Sequence, residues 1–246
     1  MLQAPPTEPQ DQNGASRLLP LERFQGSLGQ RVYQSLKHAI LTLAFRPGDI
    51  IRKPEICDRL GVSRSPVADA VAKLASDGLV DVVPQAGTFV TRLSMTDIRE
   101  GAFIREAIEV AAAELVAGQI TDEQLKDLRR NVRMQEALVA DGDRQGFMAL
   151  DGQMHEMMLS FTGFPRLPQV SQTAWLSVHR ARQLILPVEG RMQATLDEHR
   201  AILAAFEARD PQAARLAVQH HLRQLLTYLQ PLERAHPELF SPQGQP

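Results

Sequence analysis

The chain has 246 residues, of which 43% are hydrophobic and 23% charged, a composition typical of a globular protein with room for two domains. Its single cysteine cannot form an internal disulfide, and it contains no run of the roughly 18 apolar residues that a membrane span needs. We therefore expect a cytoplasmic protein with no membrane association. The net charge of −2 is unevenly distributed. Residues 23–93 carry ten Lys/Arg and six Asp/Glu, whereas residues 94–246 carry sixteen Lys/Arg and twenty Asp/Glu. The first part is therefore the better candidate for binding a polyanion.

The first part of the chain predicts a tail, three helices and a hairpin. Residues 1–22 are rich in Pro and Gln, which predicts a disordered tail. Apolar residues recur at helical spacing over about 27–43, and a Pro-Gly turn ends that helix. A second helix is predicted over about 54–60, and Ser63 can cap the third. The sequence LVDVVPQAGTFVTRL then predicts two short strands around a turn, which completes a domain of residues 23–93.

Residues 94–231 have helical periodicity throughout and predict an all-helical domain. Thr121 and Asp210 are clear start signals, because each is a capping residue at the beginning of an amphipathic run. Residues 232–246 predict a flexible tail. The helices are expected at about 94–116, 121–141, 144–161, 169–185, 191–208 and 211–229.

Three helices followed by a hairpin is the order of elements in a winged helix-turn-helix, in which the helix after the turn enters the DNA major groove. Arg64 stands at the start of that helix, and its planar guanidinium suits guanine O6 and N7. Ser63 and Ser65 on either side are short donors that suit phosphate oxygens. The alternative is an ordinary surface arginine near a helix start, and its position alone does not decide between the two interpretations.

The sequence LGVSRSPVADAVAKLASDGLV, followed by PQAGTFV, resembles the winged-helix signature of the GntR family of bacterial transcription regulators. The helical region after it resembles the ligand-binding domain of the FadR-like branch of that family, so the resemblance covers about residues 28–229. It implies a mainly α protein with an N-terminal winged helix-turn-helix and an all-α, helical-bundle ligand-binding domain. It also implies that Ser63, Arg64, Ser65 and Gly87 contact DNA.

The chain departs from the family pattern at two positions of the DNA-binding domain. The family often has a second arginine on the recognition helix, where this chain has Ala68. An arginine that is common early in the second helix is replaced by Pro54. We expect Arg52 and Lys53, just before that proline, to recover some contact with phosphate.

A carboxylate and three histidines in the helical part are candidate metal ligands. Asp151 and His155 are four residues apart and therefore share a helix face, while His199 and His221 fall on two later helices. Taken alone, histidines at helical positions are more often structural or exposed than ligating. The order Asp-x-x-x-His, Glu-His and His-Leu, however, resembles the metal-binding version of the FadR-like domain, and three imidazoles with one carboxylate favour a divalent transition metal such as zinc or nickel. His220 should point about 100° away from its neighbour and is not expected to bind metal.

Arg105 has two interpretations. The resemblance implies that its side chain projects into the ligand cavity and pairs with a carboxylate of the effector. The alternative is an ion pair with Glu109, four residues further along the same helix. The sequence leaves both open.

The resemblance implies a ligand-responsive transcriptional regulator, most often a repressor in this family, and not an enzyme. A small organic acid would bind at the metal site, and a homodimer would read a palindromic operator in double-stranded DNA. The first alternative is an acyl-CoA-type sensor, a branch that generally manages without the metal-binding histidines. A metal-dependent hydrolase is the second, although the sequence has neither an HExxH motif nor a clear general base. A third is a DNA-binding protein in which the metal is structural or absent.

Overall fold

The computed structural model describes residues 14–242 of the chain, without six side chains in the segment 168–174. The described residues form two compact units. One unit contains residues 14–95 together with residues 235–242, and the other contains residues 96–234. The first is three helices followed by a hairpin and the second is a bundle of helices, which confirms the fold class predicted from the sequence.

The first unit begins its first long helix at a complete capping box. The Ser27 side chain accepts a hydrogen bond from the Gln30 N–H, and the Gln30 side chain accepts one from the Ser27 N–H. The two strands are antiparallel, with Val80 opposite Val90. The elements are α1 (Leu28–Leu41), α2 (Lys53–Leu60), α3 (Arg64–Ser76), β1 (Val80–Val83) and β2 (Gly87–Val90).

The apolar faces of α1, α2 and α3 meet in one core. Leu36 and Ile40 of α1, Ile56 of α2, and Val67 and Leu74 of α3 are fully buried there. Burying an aliphatic side chain stabilises the fold by about 1.5–3 kcal/mol, so this core fixes how α3 lies on the other two helices. The opposite face of α3 remains exposed and is available to another molecule.

The prediction of a disordered tail over residues 1–22 is wrong for residues 14–22, and residues 1–13 lie outside the described part of the chain. Ala15, Leu18 and Leu21 are buried against the core of the first unit. The Ser35 hydroxyl of α1 also donates a hydrogen bond of 2.8 Å to a backbone carbonyl of this segment. The prediction was based on the polar composition of the tail and overlooked three apolar residues spaced three apart. Their burial offsets the entropy lost on ordering the segment.

The prediction of a flexible tail over residues 232–246 is wrong for residues 232–242, and residues 243–246 lie outside the described part of the chain. The last helix continues past Pro231 to Ala235, although a proline removes one backbone donor and usually ends a helix. The buried Phe240 follows a short 3-10 helix and lies beside Leu93. The Leu93 N–H donates to the Leu239 carbonyl at 3.0 Å, so backbone hydrogen bonding as well as apolar burial orders this segment.

The second unit contains six helices around a core of aliphatic, phenylalanine and methionine side chains. Thr121 forms a capping box with Gln124, and the Asp210 carboxylate accepts hydrogen bonds from two backbone N–H groups, so both predicted caps are confirmed. No helix in the described residues 14–242 is long and apolar enough to cross a membrane. The helices are α4 (Met95–Gln119), α5 (Asp122–Asp141), α6 (Arg144–Ser160), α7 (Leu167–Ile185), α8 (Arg191–Glu207) and α9 (Pro211–Ala235).

The ordered N-terminal segment gives a stability prediction. Leu18→Ala should lower the free energy of unfolding of the first unit by about 2–5 kcal/mol, because it leaves a cavity against α1. Hydrogen exchange of the α1 amides in the full chain measures this change. Leu28→Ala is the control, since Leu28 is 41% exposed and should change protection little. Equal protection in the Leu18→Ala variant and the wild type would show that the segment adds no stability.

Candidate metal centre and nucleic-acid interface

Four buried side chains from three helices of the second unit converge on one point. Asp151 and His155 lie one turn apart on α6, His199 lies on α8, and His221 lies on α9. One ligating atom of each residue lies within 4.8 Å of those of the other three. The structure therefore brings together the four residues that the sequence grouped as candidate metal ligands, whereas the neighbouring His220 is exposed.

The distances inside this cluster suit a small cation. Nε2 of His155 and Nε2 of His221 are 3.1 Å apart. Asp151 has one carboxylate oxygen 3.7 Å from His155 Nε2 and the other 3.6 Å from His199 Nε2. Metal–nitrogen distances of about 2.0–2.1 Å in a tetrahedral zinc site place two ligating nitrogens roughly 3.3 Å apart. The cluster thus has the dimensions of a site for a transition metal.

Each histidine is held from behind by a hydrogen bond to its other ring nitrogen. Nδ1 of His155 lies 2.6 Å from a carboxylate oxygen of Glu109 on α4. Nδ1 of His221 lies 2.7 Å from a carboxylate oxygen of Glu198 on α8. Nδ1 of His199 lies 2.7 Å from the side-chain oxygen of a glutamine on α5, Gln135. Because all three partners are acceptors, each Nδ1 carries the proton and each Nε2 keeps a lone pair directed at the cluster.

This arrangement fits a metal ion on two observations of the side chains themselves. Two lone pairs that face one another across 3.1 Å, on His155 and His221, repel unless a cation lies between them. Nε2 of His199 is buried and has no hydrogen-bond partner among the described residues. A buried nitrogen without a partner is costly, and ligation to a metal removes that cost.

Burial keeps the three imidazoles neutral. It lowers the pKa of His155, and it lowers the pKa of His199 and of His221 well below the usual histidine value. The charge of Arg105 lowers the pKa of His155 and of His221 further, and the charge of Arg182 lowers the pKa of His199 and of His221, while Glu109 opposes the shift at His155. Neutral imidazole is the form that binds a metal, so the protein environment prepares the histidines for ligation.

Arg105 makes the ion pair that one interpretation predicted and lies at the cavity that the other requires, while its pairing with an effector carboxylate remains a prediction. Its guanidinium lies 2.6 Å from Glu109 in a buried ion pair, and it also lines the cavity beside the histidines. Burial opposes ionisation of Glu109, but Arg105 and His155, through their charges and their hydrogen bonds, together outweigh burial and hold the pKa of Glu109 below its usual range. One of its terminal nitrogens is buried without a hydrogen-bond partner among the described residues and remains available to a ligand.

Two further buried arginines flank the cluster. Arg182 of α7 contacts the carboxylate of Asp151, and its guanidinium lies 5.8 Å from the ring centre of Trp175. Arg191 of α8 makes a bidentate pair with Glu198 at 2.5 and 2.9 Å. With Arg105, the site has three arginines facing three carboxylates, which keeps it close to neutral without a metal.

A small cavity adjoins the cluster. Its volume is about 30 Å³, which is enough for no more than about two water molecules. Its walls carry both charged and apolar groups. The polar wall is formed by Arg105, Asp151, Arg182, Arg191, Thr195 and His221. Any ligand larger than water must therefore move one of these side chains to enter.

The residues predicted to contact DNA lie together on the first unit. Ser63, Arg64 and Ser65 are all exposed at the start of α3. Ser63 lies at the N-cap position, but its side chain makes no capping hydrogen bond with the described backbone, which corrects the expectation that it caps the helix. Its hydroxyl therefore remains free to donate to a phosphate.

The remaining predicted contacts lie at the start of α2 and in the hairpin. Arg52 and Lys53 are exposed, and Arg52 lies 3.8 Å from Glu55 in a weak surface pair. Gly87 is exposed at the start of β2 with φ of 136°, a conformation in which a side chain would be strained. The hairpin can therefore keep this shape and present a bare backbone only with glycine at this position.

A winged helix with an exposed arginine at the start of its third helix, joined to a helical bundle, defines the class of DNA-binding transcriptional regulators that carry a ligand-binding domain. Residues 28–90 match the bacterial regulatory proteins of the gntR family, and residues 100–224 match the FCD domain. The chain therefore belongs to the GntR family and combines its DNA-binding domain with an FCD domain, as in FadR-like regulators.

Individual relatives and solved structures agree with this assignment. The HTH-type transcriptional repressor RspR of Escherichia coli K12 is 28% identical over 87% of this chain and 94% of that protein. An uncharacterized HTH-type transcriptional regulator of Streptomyces ambofaciens is 30% identical over 85% of this chain and 88% of that protein. A putative GntR regulator from Rhodococcus sp. RHA1 has a TM-score of 0.72 at 25% identity, over 82% of this chain and 99% of that one. The structure of E. coli McbR/YncC has a TM-score of 0.72 at 21% identity, over 85% of this chain and 99% of that one. At this identity the likeness supports the fold alone.

Several residues of the site were missed by sequence reasoning. Arg182 and Arg191 were not singled out, because a lone arginine on a helix usually lies on the surface. Gln135 has no neighbouring signal at all, and its role depends on α5 packing beside α8. Glu198 precedes His199 in the Glu-His pair, but it accepts a hydrogen bond from His221 on the next helix, a contact that adjacency in sequence does not suggest.

The lowered histidine pKa values give a pH prediction for the metal-free protein. Below about pH 6.5 the unfolded chain binds more protons at these positions than the folded chain, so stability falls as the pH falls. We expect a nearly constant free energy of unfolding above that pH and a loss of up to about 1.4 kcal/mol per pH unit for each histidine below it. Urea unfolding of the helical unit in chelator, between pH 7.5 and 5.5, measures the slope.

Matched variants identify which histidines cause that slope. His199→Gln should make it smaller, whereas His220→Gln should leave it unchanged because His220 is exposed. A wild-type stability that does not change between pH 7.5 and 5.5 would contradict the neutral, buried state of the three imidazoles.

Proposed function

We propose that this protein is a metal-dependent transcriptional repressor that responds to a small organic acid. Arg64, Ser63 and Ser65 would contact the operator, with Arg52, Lys53 and the backbone at Gly87 on phosphate. The effector would bind in the helical unit, next to the metal. The repressor role is supported by the likeness to RspR, which is named a repressor. The proposal excludes an enzymatic role, and the named relatives are likewise transcriptional regulators.

The observation that carries the proposal is the convergence of three Nε2 lone pairs on a carboxylate inside an apolar bundle. Asp151, His155, His199 and His221 would hold a divalent transition metal, with zinc or nickel preferred because nitrogen ligands predominate. When bound, the metal supplies a Lewis-acidic position that a carboxylate can occupy.

The charges around the cavity support an acidic ligand. Three arginines face three carboxylates, so a divalent cation added to neutral histidines leaves an excess of about two positive charges. An anion with one or two carboxylates reduces that excess. Arg105 is the best placed side chain to bind it, because one of its nitrogens has no partner among the described residues.

The small size of the cavity supports a conformational response. An organic acid is larger than the free volume of about 30 Å³, so its entry requires movement of Arg182, Arg191 or an apolar wall. A ligand shifts a conformational equilibrium only if it binds one state better than the other, and a site that must open to admit it meets that condition. The response to the effector would thus begin with these side chains.

A palindromic operator is the expected DNA target of a homodimer, because the two-fold symmetry of the protein is repeated in the half-sites. Each half-site would be read by one α3. Phosphate contacts give affinity without sequence preference, and base contacts give specificity, so the two kinds of residue can be separated experimentally.

Arginine and lysine variants should separate specificity from general affinity. Arg64→Ala should remove the preference for the operator, a loss of roughly 1–3 kcal/mol per half-site. Lys53→Ala should weaken binding to all sequences and reduce the salt slope by about one unit. The operator can be selected from a random DNA pool with wild-type protein, and binding is then measured by fluorescence anisotropy at several salt concentrations.

The control for this experiment is Arg130→Ala, an exposed arginine of the helical unit, which should bind DNA like the wild type. An Arg64→Ala variant that still prefers the operator over random DNA would show that α3 does not read the bases.

Metal binding has its own matched pair of variants. His199→Ala should lose bound metal and the stabilisation that metal gives, about 4 kcal/mol at a thousandfold excess over the dissociation constant. His220→Ala should keep both. Elemental analysis gives the stoichiometry, and thermal melting with chelator, zinc or nickel gives the stabilisation. Melting with metal plus a panel of mono-, di- and tricarboxylic acids tests the effector class.

A wild-type protein that binds no metal and does not respond to chelator or added zinc would mean that the four residues are only polar lining of the cavity. A metalated protein whose melting temperature is unchanged by every acid in the panel would overturn the effector part of the proposal alone.

A further inference from the structure

Helix α3 points a carboxylate away from the protein. The side that packs on α1 and α2 contains four buried residues, Val67, Ala70, Val71 and Leu74. Successive residues of an α-helix turn by about 100°, so Ser65, Asp69 and Ala72 all lie within roughly 30° of the direction opposite to that side. All three are exposed. Asp69 therefore lies on the part of α3 that a DNA groove would face, and it is the single acidic residue of this helix.

No cation neutralises Asp69 among the described residues 14–242. It makes neither an ion pair nor a hydrogen bond with any of them. Lys73, four residues further along the same helix, is the natural partner for an ion pair at this spacing. Its ammonium group instead lies over the ring of Tyr33 on α1, 4.1 Å from the ring centre. The negative charge of Asp69 is thus left for another molecule to meet.

The stability of the helix gives little reason for an acid at this position. Asp69 is the sixth residue of α3, whereas the helix macrodipole favours negative charge in the first turn, which holds no acidic residue. Aspartate is also a poorer helix former than alanine, which occurs at Ala68 and Ala72 on the same exposed side. The carboxylate is therefore better explained by what α3 binds than by how α3 folds.

A carboxylate on this face has a defined effect on DNA binding. Phosphates repel it, so it weakens binding to every sequence. It accepts hydrogen bonds and donates none, and the donors that bases present in the major groove are the amino groups at cytosine N4 and adenine N6. Adenine also presents an acceptor, N7, which repels a carboxylate, so cytosine is the better partner. Asp69 offsets its repulsion only where a cytosine lies within reach.

The neighbours of Asp69 let its short side chain approach the bases. Ala68 and Ala72 flank it and are too small to hold the backbone of α3 away from the groove. Arg64 and Asp69 are five residues apart, a rise of about 7.5 Å along the helix, which corresponds to about two base-pair steps. The base pairs read by these two side chains are therefore expected about two steps apart.

We propose that Asp69 reads one cytosine in each half-site of the operator by accepting a hydrogen bond from its N4 amino group, an assignment that rests on the proposed reading of the operator by α3. The same carboxylate weakens binding to sequences that lack this cytosine. Arg64 would then bind base acceptors and Asp69 a base donor, so that α3 distinguishes sequences with charges of both signs.

Selection from a random pool of duplex DNA tests the assignment, with the full-length wild type and Asp69 variants. The wild-type motif should contain a C·G pair whose preference over the other pairs falls by roughly tenfold or more in Asp69→Ala. Asp69→Asn should prefer A·T at that same pair, because an asparagine amide binds adenine N6 and N7 together. A purely structural role of Asp69 would not convert one base preference into another.

Binding to random DNA gives a second readout with the opposite sign. Asp69→Asn should bind random duplexes roughly threefold more tightly than the wild type at low salt, because a charge that repels phosphate is gone. A damaged helix would weaken this binding instead. The control is Asp127→Asn, the same substitution at an exposed carboxylate of α5, which should keep the wild-type motif and affinity. Thermal melting checks that all variants are folded.

An Asp69→Ala variant that selects the wild-type motif with unchanged preference at every position would overturn the role of Asp69. If Arg64→Ala loses its preference in the same selection, the proposed reading of the operator by α3 stands and the assignment of Asp69 alone is wrong. A wild type that enriches no motif would overturn the proposed function and this assignment together.

Discussion

The structure of the helical unit depends on how three neutral imidazoles are buried. An unpaired buried ring nitrogen costs free energy, so each Nδ1 needs an acceptor on another helix. Glu109 on α4 serves His155 on α6, Gln135 on α5 serves His199 on α8, and Glu198 on α8 serves the last histidine on α9. These three hydrogen bonds connect five of the six helices. They also direct every Nε2 at the same point. The hydrogen bonds that position the helices therefore also arrange the candidate metal ligands.

Buried acceptors bring a second requirement, because two of the three are carboxylates and Asp151 adds a third. A buried carboxylate without a partner charge is strongly destabilising, which accounts for the buried arginines at the same place. Arg105 pairs with Glu109, Arg182 contacts Asp151, and Arg191 pairs with Glu198. The arginines thus have a structural role toward the carboxylates and face the cavity at the same time, so a ligand that recruits one of them also changes what holds the helices together.

The features that could be predicted from the sequence are those marked by a pattern along the chain. The spacing of apolar residues predicted the helices, and the order of three helices followed by a hairpin predicted the winged helix. The likeness to a known family grouped Asp151 with three distant histidines. Contacts between helices could not be predicted from the sequence, because nothing near Gln135 or Arg182 distinguishes these residues from surface residues. The prediction that both tails are disordered was wrong for a related reason. Leu18 and Phe240 are isolated apolar residues in polar surroundings, and only the core that they cover makes them structural.

The segment that precedes α4 and the segment that follows α9 are hydrogen-bonded to each other. α4, which carries Arg105 and Glu109, begins at Met95, two residues after Leu93. α9, which carries His221, ends at Ala235, shortly before Leu239. Leu93 and Leu239 are joined by a backbone hydrogen bond of 3.0 Å within the first unit. Both helices that bracket the cavity therefore lead to one hydrogen-bonded pair of segments.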